Sequence, residues 1–210
     1  MKSFLRSALL VGLLATTSAA NADFSVNVGF ASDYYYRGIF QKQSSASAGV
    51  DYAAGGFYAG VWAADVGGDI APDGIEIDGY FGYGLELGPV DLSVGYTGYF
   101  YTGDFDDTYE EINLGAGIGI LSLDVAVGEY ENFDGPTSDY TYYALTLEKN
   151  GFYGKYGGFS QDFEGEYFEL GYGATVADID LGVYLLFSNE DLTGEENEAI
   201  VFTIGKTFDF

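Results

Sequence analysis

The sequence predicts an all-β fold: a single closed antiparallel transmembrane β-barrel of about 12 strands, with short periplasmic turns and longer acidic external loops. Three observations predict it. Apolar and polar residues alternate with period two almost everywhere after residue 23. Short and long links between the alternating runs themselves alternate strictly. The chain ends on a row of Phe202, Ile204, Phe208 and Phe210, the C-terminal pattern expected to be read as a barrel-insertion signal, chiefly through Phe208 and Phe210.

In chain order, residues 1–22 read as a cleaved signal peptide: Lys2 and Arg6, then the apolar run 8–15, then Ala20-Asn21-Ala22 as a small-x-small cleavage site. That run is far shorter than the ~20 residues of a membrane-spanning helix. Residues 23–210 are expected to form the outer-membrane barrel as one domain. The first strand covers 24–37, and the short turns fall at 54–56, 88–89, 120–121, 150–151 and 177–178. Six longer links fall at 38–42, 67–74, 102–107, 132–138, 162–166 and 189–197. Together they delimit twelve strands with both chain ends on one side. The clearest rows are Val90, Leu92, Val94, Tyr96; Ile112, Leu114, Ala116, Ile118; and Ile179, Leu181, Val183, Leu185. Phe57–Val66 is apolar on both faces. With no link longer than about nine residues, no plug is expected inside the barrel.

Composition narrows the function. The 33 acidic residues face seven basic ones, a net charge of −26, and two of the seven lie in the signal. No basic surface is available to neutralise phosphates, so nucleic acid is excluded as a partner. Twenty Tyr and 17 Phe argue against disorder. The chain has no Cys and no His. That removes disulfides, thiolate metal sites, the usual zinc sites and Ser-His-Asp or Cys-His catalysis. No enzyme activity, no cofactor and no metal site is expected.

Several motifs invite chemistry. The glycines of 115–119 and 79–84 are followed by no helix, so they do not form dinucleotide loops. The acidic clusters 104–107 and 190–196 lack calcium-loop spacing and read as solvated external surface, offering divalent bridges to lipopolysaccharide at most. The carboxylate pairs Glu76/Asp78 and Glu110/Glu111 have dyad chemistry in principle, but such pairs arise by chance in a chain this acidic.

The segments Ser25-x-Asn27-Val28-Gly29, Ser32-Asp33-Tyr34-x-x-Arg37-Gly38, Gly56-Phe57-Tyr58-Ala59-Gly60-Val61-Trp62, Asp78-x-Tyr80-x-Gly82-Tyr83 and Tyr109-x-Glu111-Ile112-x-Leu114-Gly115 carry a resemblance. Residues 24–130 so marked resemble the TorF-type porin family of Gram-negative outer-membrane proteins. Phe40 departs from the family's Ser or Thr before Gln41. The resemblance implies a porin-like barrel and brings neither a substrate nor a site.

Putting the apolar rows against lipid places Asp33, Tyr35, Arg37, Asp51, Glu76, Asp78, Asp91, Glu111, Asp124, Glu148, Lys155, Glu169 and Asp180 in the lumen or its mouth. Arg37 and Lys155 are the lumen's cations. Many lumen positions are glycine, which either leaves a water-filled passage or lets Tyr80, Tyr99, Tyr101, Tyr130, Tyr140 and Tyr142 fold across. The first strand rises about 43 Å along its axis at ~3.3 Å per residue. Tilted ~40° it climbs about 33 Å, beyond the ~25 Å apolar band. Arg37 therefore falls at the external rim, with Tyr34 and Tyr36 expected outward in the aromatic girdle. Two duties are open to Arg37: a clamp on acids such as Asp33, or a charge opposing acids across a constriction. The expected function is a narrow, cation-preferring diffusion channel for small solutes or ions in the cell outer membrane. The alternative is a non-conducting, side-chain-filled barrel with structural or adhesion duties. The partners expected are outer-membrane lipid and lipopolysaccharide, the barrel-assembly machinery, and small solutes or cations.

Overall fold

The computed structural model describes residues 23–68 and 71–210; the expected signal peptide lies outside the described residues. Twelve strands close one antiparallel barrel in chain order, β1 pairing with β12. They are β1 (Asp23–Tyr36), β2 (Ile39–Ala54), β3 (Phe57–Val66), β4 (Gly74–Leu87), β5 (Val90–Tyr101) and β6 (Tyr109–Ile118). Then follow β7 (Leu121–Tyr130), β8 (Ser138–Lys149), β9 (Phe152–Gln161), β10 (Glu166–Val176), β11 (Ile179–Ser188) and β12 (Asn197–Asp209). One helical turn, α1 (Glu190–Thr193), precedes β12, its N-terminus capped by Asn189.

The pleat sends alternate residues to opposite faces, and the outer face is apolar all round: Val28, Phe30, Val61, Phe81, Leu114, Val127, Leu147, Ile200 and Phe202 all point away from the interior. Lys206 interrupts this row with its ammonium 5.4 Å from the centre of the Phe208 ring. Near the turn end, Gly154 leaves a shallow outer depression of about 530 Å³ bordered by Phe152, Leu170, Tyr172 and Leu185.

One end of the barrel carries the two-residue turns, the other the loops. The turns Gly55-Gly56, Asn150-Gly151 and Ala177-Asp178 have positive φ at both residues, the conformation whose twist matches paired strands. The third turn lies at Gly119-Ile120, one residue earlier than expected, because Gly119 (φ 65°) supplies the left-handed position.

The link expected at 38–42 is not a loop. Arg37 (φ 49°) and Gly38 (φ 85°) make a tight turn, and β2 starts at Ile39. The resulting hairpin leaves the wall. β1 pairs with β12 only from Ser25 to Ala31, and β2 pairs with β3 only from Ser47 onward. Beyond those points their ladder partners are each other, with a register shift between Tyr34 and Tyr35. Single bonds tie them to the wall: the Gly67 amide to the Gln41 carbonyl (3.1 Å), Ser45 Oγ to the Asp65 carbonyl (2.7 Å) and the Phe202 amide to Ser32 Oγ (3.0 Å). The freed segment crosses the loop end of the barrel, so the interior is obstructed by a strand pair and not, as loop lengths implied, left free of one.

Interior glycines mostly receive tyrosines. A Cβ on Gly171 would lie 2.2 Å from the Tyr153 ring, one on Gly82 2.3 Å from the Tyr58 hydroxyl, and one on Gly60 2.5 Å from the Tyr80 hydroxyl. Each ring lies flat on the neighbouring strand where any side chain would displace it. The interior of the loop half is packed: Tyr99, Tyr140, Tyr142, Tyr167, Leu186 and Val201 are buried. Toward the turn end it includes small and polar residues such as Ser25, Asn27, Gly115 and Asp180, which keep partial exposure.

Gly171→Leu should lower barrel stability by about 1–3 kcal/mol by expelling Tyr153. Urea unfolding in detergent micelles, followed by tyrosine fluorescence, measures it.

Candidate functional site

The site is built where the β1–β2 hairpin meets the opposite wall. Its tip residue Arg37 reaches Glu111 on β6, donating from Nη1 to Oε2 (2.9 Å) and from Nη2 to Oε1 (2.7 Å). The Glu111 carboxylate also accepts from the Tyr99 hydroxyl (2.7 Å), the Tyr140 hydroxyl (3.0 Å) and Asn113 Nδ2 (2.6 Å). The guanidinium lies 4.0 Å from the Tyr142 ring centre and 4.9 Å from that of Tyr36. Arg37 thus does not make the clamp on Asp33 that its neighbourhood in sequence suggested, and instead opposes an acid across the barrel. Its acid is Glu111, five strands away around the barrel.

Both faces of the hairpin touch walls. Toward β3–β5, Tyr34 donates to Glu76 (3.1 and 3.2 Å) and packs edge-on against Trp62, while Tyr36 donates to the Tyr99 hydroxyl (2.6 Å). Toward β10–β12, Tyr35 accepts from Asn197 Nδ2 (3.4 Å), and Ser188 Oγ donates to the Gly38 carbonyl (2.7 Å). Tyr35 and Ile39 pack on the cluster of Tyr140, Tyr142, Phe159, Tyr167 and Leu186. Gly38 is required twice over: its φ is positive, and a Cβ there would lie 2.7 Å from Tyr167. Tyr34 and Tyr36 therefore do not join an outward girdle. A strand with protein on both sides has no lipid face, so alternation along β1 stops reporting orientation past Ala31. Among the described residues Asp33 has no side-chain hydrogen-bond partner; it is half-buried, opposite Gln43.

The remaining candidates sit on the inner face by the pleat. Glu76 and Asp78 lie side by side on β4, fully buried beneath the hairpin. Lys155 on β9 stands opposite Glu169 on β10 in the strand register, both buried, and Tyr153 donates to Glu169 (3.3 Å). Asp124 lies on β7, two strands from Lys155. Asp51 accepts from Tyr80 (2.6 Å) and Asn27 (3.0 Å). Asp91 and Glu148 are exposed near the turn end, and Asp180 accepts there from Thr175 (2.5 Å).

The carboxylate pairs separate on inspection. Glu110 faces outward to Tyr96 while Glu111 faces in, so those two share no substrate space. In the cluster 104–107, Asp106 accepts from Tyr109 (2.9 Å) and Tyr130 (2.8 Å), and Asp107 accepts from the Phe133 amide (2.5 Å). The neighbouring loop's Asp73 bonds Lys42 at 2.8 Å, and that ammonium holds its carboxyl below the usual carboxylate range. Asn113, Tyr167 and Ser188, not among the expected site residues, complete the site with Tyr36, expected outward by alternation. Asn113 and Tyr167 hold inward positions opposite Gly95 and Gly157, whereas Ser188 carries no comparable signal.

Removing one partner of the buried pair, as in Glu111→Ala, should cost about 3–5 kcal/mol, because Arg37 stays buried without its acid. Replacing both, Arg37→Met with Glu111→Leu, should recover most of that loss. Denaturant unfolding of the two variants checks the difference.

The barrel is similar to the COG4313 outer membrane channel from Pseudomonas putida, with 11% identity, 96% of this chain and all of that chain covered, and a TM-score of 0.56. It is similar also to a membrane protein solved in a study of in-meso crystallisation, with 10% identity, coverage of 90% and 84%, and a TM-score of 0.55. At these identities the likeness is one of fold, that of an outer-membrane β-barrel. Outer membrane phospholipase A from Escherichia coli aligns at a TM-score of 0.45, with 9% identity and coverage of 90% and 96%. No curated protein matches the sequence. Residues 15–150 match the family described as bacterial protein of unknown function (Gcw_chp), and the chain belongs to that family.

Proposed function

We propose that this protein is an outer-membrane channel of the porin-like kind, cation-preferring and held closed by its own β1–β2 hairpin. The observation that carries the reading is a hairpin whose outer half has no ladder pairing with β12 or β3 and whose tip crosses the loop end to a buried ion pair. The continuous apolar outer face supports placement in a membrane, and the resemblance to TorF-type porins agrees with that. Export through a signal peptide, insertion by the barrel-assembly machinery and an outer-membrane location with lipopolysaccharide at the loop end belong to the same proposal.

The acidic interior supports cation preference. Asp51, Glu76, Asp78, Glu111, Asp124 and Glu169 line it against two cations, Arg37 and Lys155. A low-dielectric tube lined with one sign of charge concentrates counter-ions and repels co-ions. No reaction is proposed: the one inward carboxylate pair on a single strand, Glu76 and Asp78, is buried away from any substrate.

A second reading has its own observation. Tyr36, Tyr99, Tyr140, Tyr142 and Tyr167 fill the loop half so well that a permanently closed, structural barrel fits the same packing. Planar-bilayer recordings separate the two. The native protein should conduct rarely, Glu111→Gln should open often, and the open state should pass potassium over chloride. No conductance in Glu111→Gln favours the structural barrel, and chloride preference removes the cation assignment.

A further inference from the structure

The interior of the loop half carries a charge deficit. Arg37 is taken up by Glu111, which leaves Glu76 and Asp78 as two further carboxylates beneath the hairpin, 0% and 1% exposed. Glu76 accepts one shared hydrogen bond from Tyr34. Asp78 accepts none: no protein donor reaches either of its oxygens, though both are buried. A carboxylate in that state costs several kcal/mol unless a proton or a cation neutralises it. Among the described residues, every salt bridge within 4.0 Å involves Arg37 with Glu111 or Lys42 with Asp65 and Asp73, so none reaches Glu76 or Asp78.

We propose that Glu76 and Asp78 form a binding site for a hard, calcium-like divalent cation. The two residues are i and i+2 on one face of β4, with Cβ atoms about 6.6 Å apart at ~3.3 Å per residue. Carboxylates converging from that spacing reach a common ion with oxygen distances of about 2.3–2.6 Å. They offer up to four oxygens of charge-matched donor, and water completes the sphere, since the described residues gather no third acid there. Oxygen-only donors with no nitrogen or sulfur suit calcium over transition metals. The unsatisfied Asp78 is the second, independent sign that a ligand belongs at this pair.

The site bears on the gate, and in this respect rests on the channel reading. Tyr34, which hydrogen-bonds Glu76, belongs to the hairpin that Arg37 pins. An ion on Glu76 and Asp78 completes the wall against which Tyr34 and Trp62 pack, so calcium favours the closed hairpin by mass action.

Isothermal titration of calcium chloride into the purified, detergent-folded full chain tests the site without reference to conductance. The native protein should show a binding event that Asp78→Asn weakens by roughly tenfold or more, while Asp104→Asn, in an external acidic cluster, leaves it unchanged. In chelator, Asp78→Asn should be at least as stable as the native protein, since the change removes an uncompensated charge. An unchanged isotherm in Asp78→Asn, or no binding to the native protein, overturns the proposal even if the channel conducts. Calcium binding without any effect on Glu111→Gln openings keeps the site and overturns its link to the gate.

Discussion

A carboxylate buried in a barrel is stabilised by the donors around it, and Glu111 accepts from five of them. Its side chain is 0% exposed and that of Arg37 10%, so the pair sits where water does not screen it. The rest of the loop half is arranged around this contact. Tyr99 and Tyr140 are held inward by their bonds to the same carboxylate, Tyr142 faces the guanidinium, and Tyr36 reaches Tyr99. The hairpin lies across the barrel because Arg37 has one acid within reach that is already fitted with neutral donors.

The hairpin also explains why glycine and tyrosine dominate the interior. A strand pair inside a twelve-stranded ring leaves narrow gaps on either side, and flat rings laid over glycines fill gaps that bulky aliphatic side chains would overfill. Gly157 under Tyr167 and Gly128 under Tyr140 lie beneath the cluster on which Tyr35 and Ile39 pack. Toward the turn end the inner face carries Ser, Asn and Asp together with Tyr58 and Tyr153, which lie over Gly82 and Gly171. The hairpin's own side-chain contacts are confined to the loop half of the barrel.

Much of the barrel is legible in the residues, since the pleat has period two and one face must be apolar. Twelve strands, the turns at Asn150-Gly151 and Ala177-Asp178, and the inner placement of Glu76, Asp78, Glu111, Lys155 and Glu169 all follow from that. The surplus length of the first strand is legible too, as a climb beyond the apolar band. Its direction is not. Alternation assumes lipid on one side and lumen on the other, and past Ala31 β1 has protein on both, so Tyr34 and Tyr36 carry no mark of facing inward. The partner of Arg37 is equally hidden: Glu111 is one of 33 acids, and only the closed ring brings β6 across from β1.

The central claim is that the hairpin lies inside the mouth and is pinned there by Glu111. The described residues hold no native cysteine, so Ile39→Cys places a single thiol on the hairpin's inner contact surface. Labelling with a charged maleimide on the folded, membrane-inserted protein reads its position. The thiol should react slowly in the native background and at least tenfold faster when Glu111→Gln releases the tip, a difference of about 1.4 kcal/mol in opening. Fast labelling in the native background, or equal rates in both, would contradict the account.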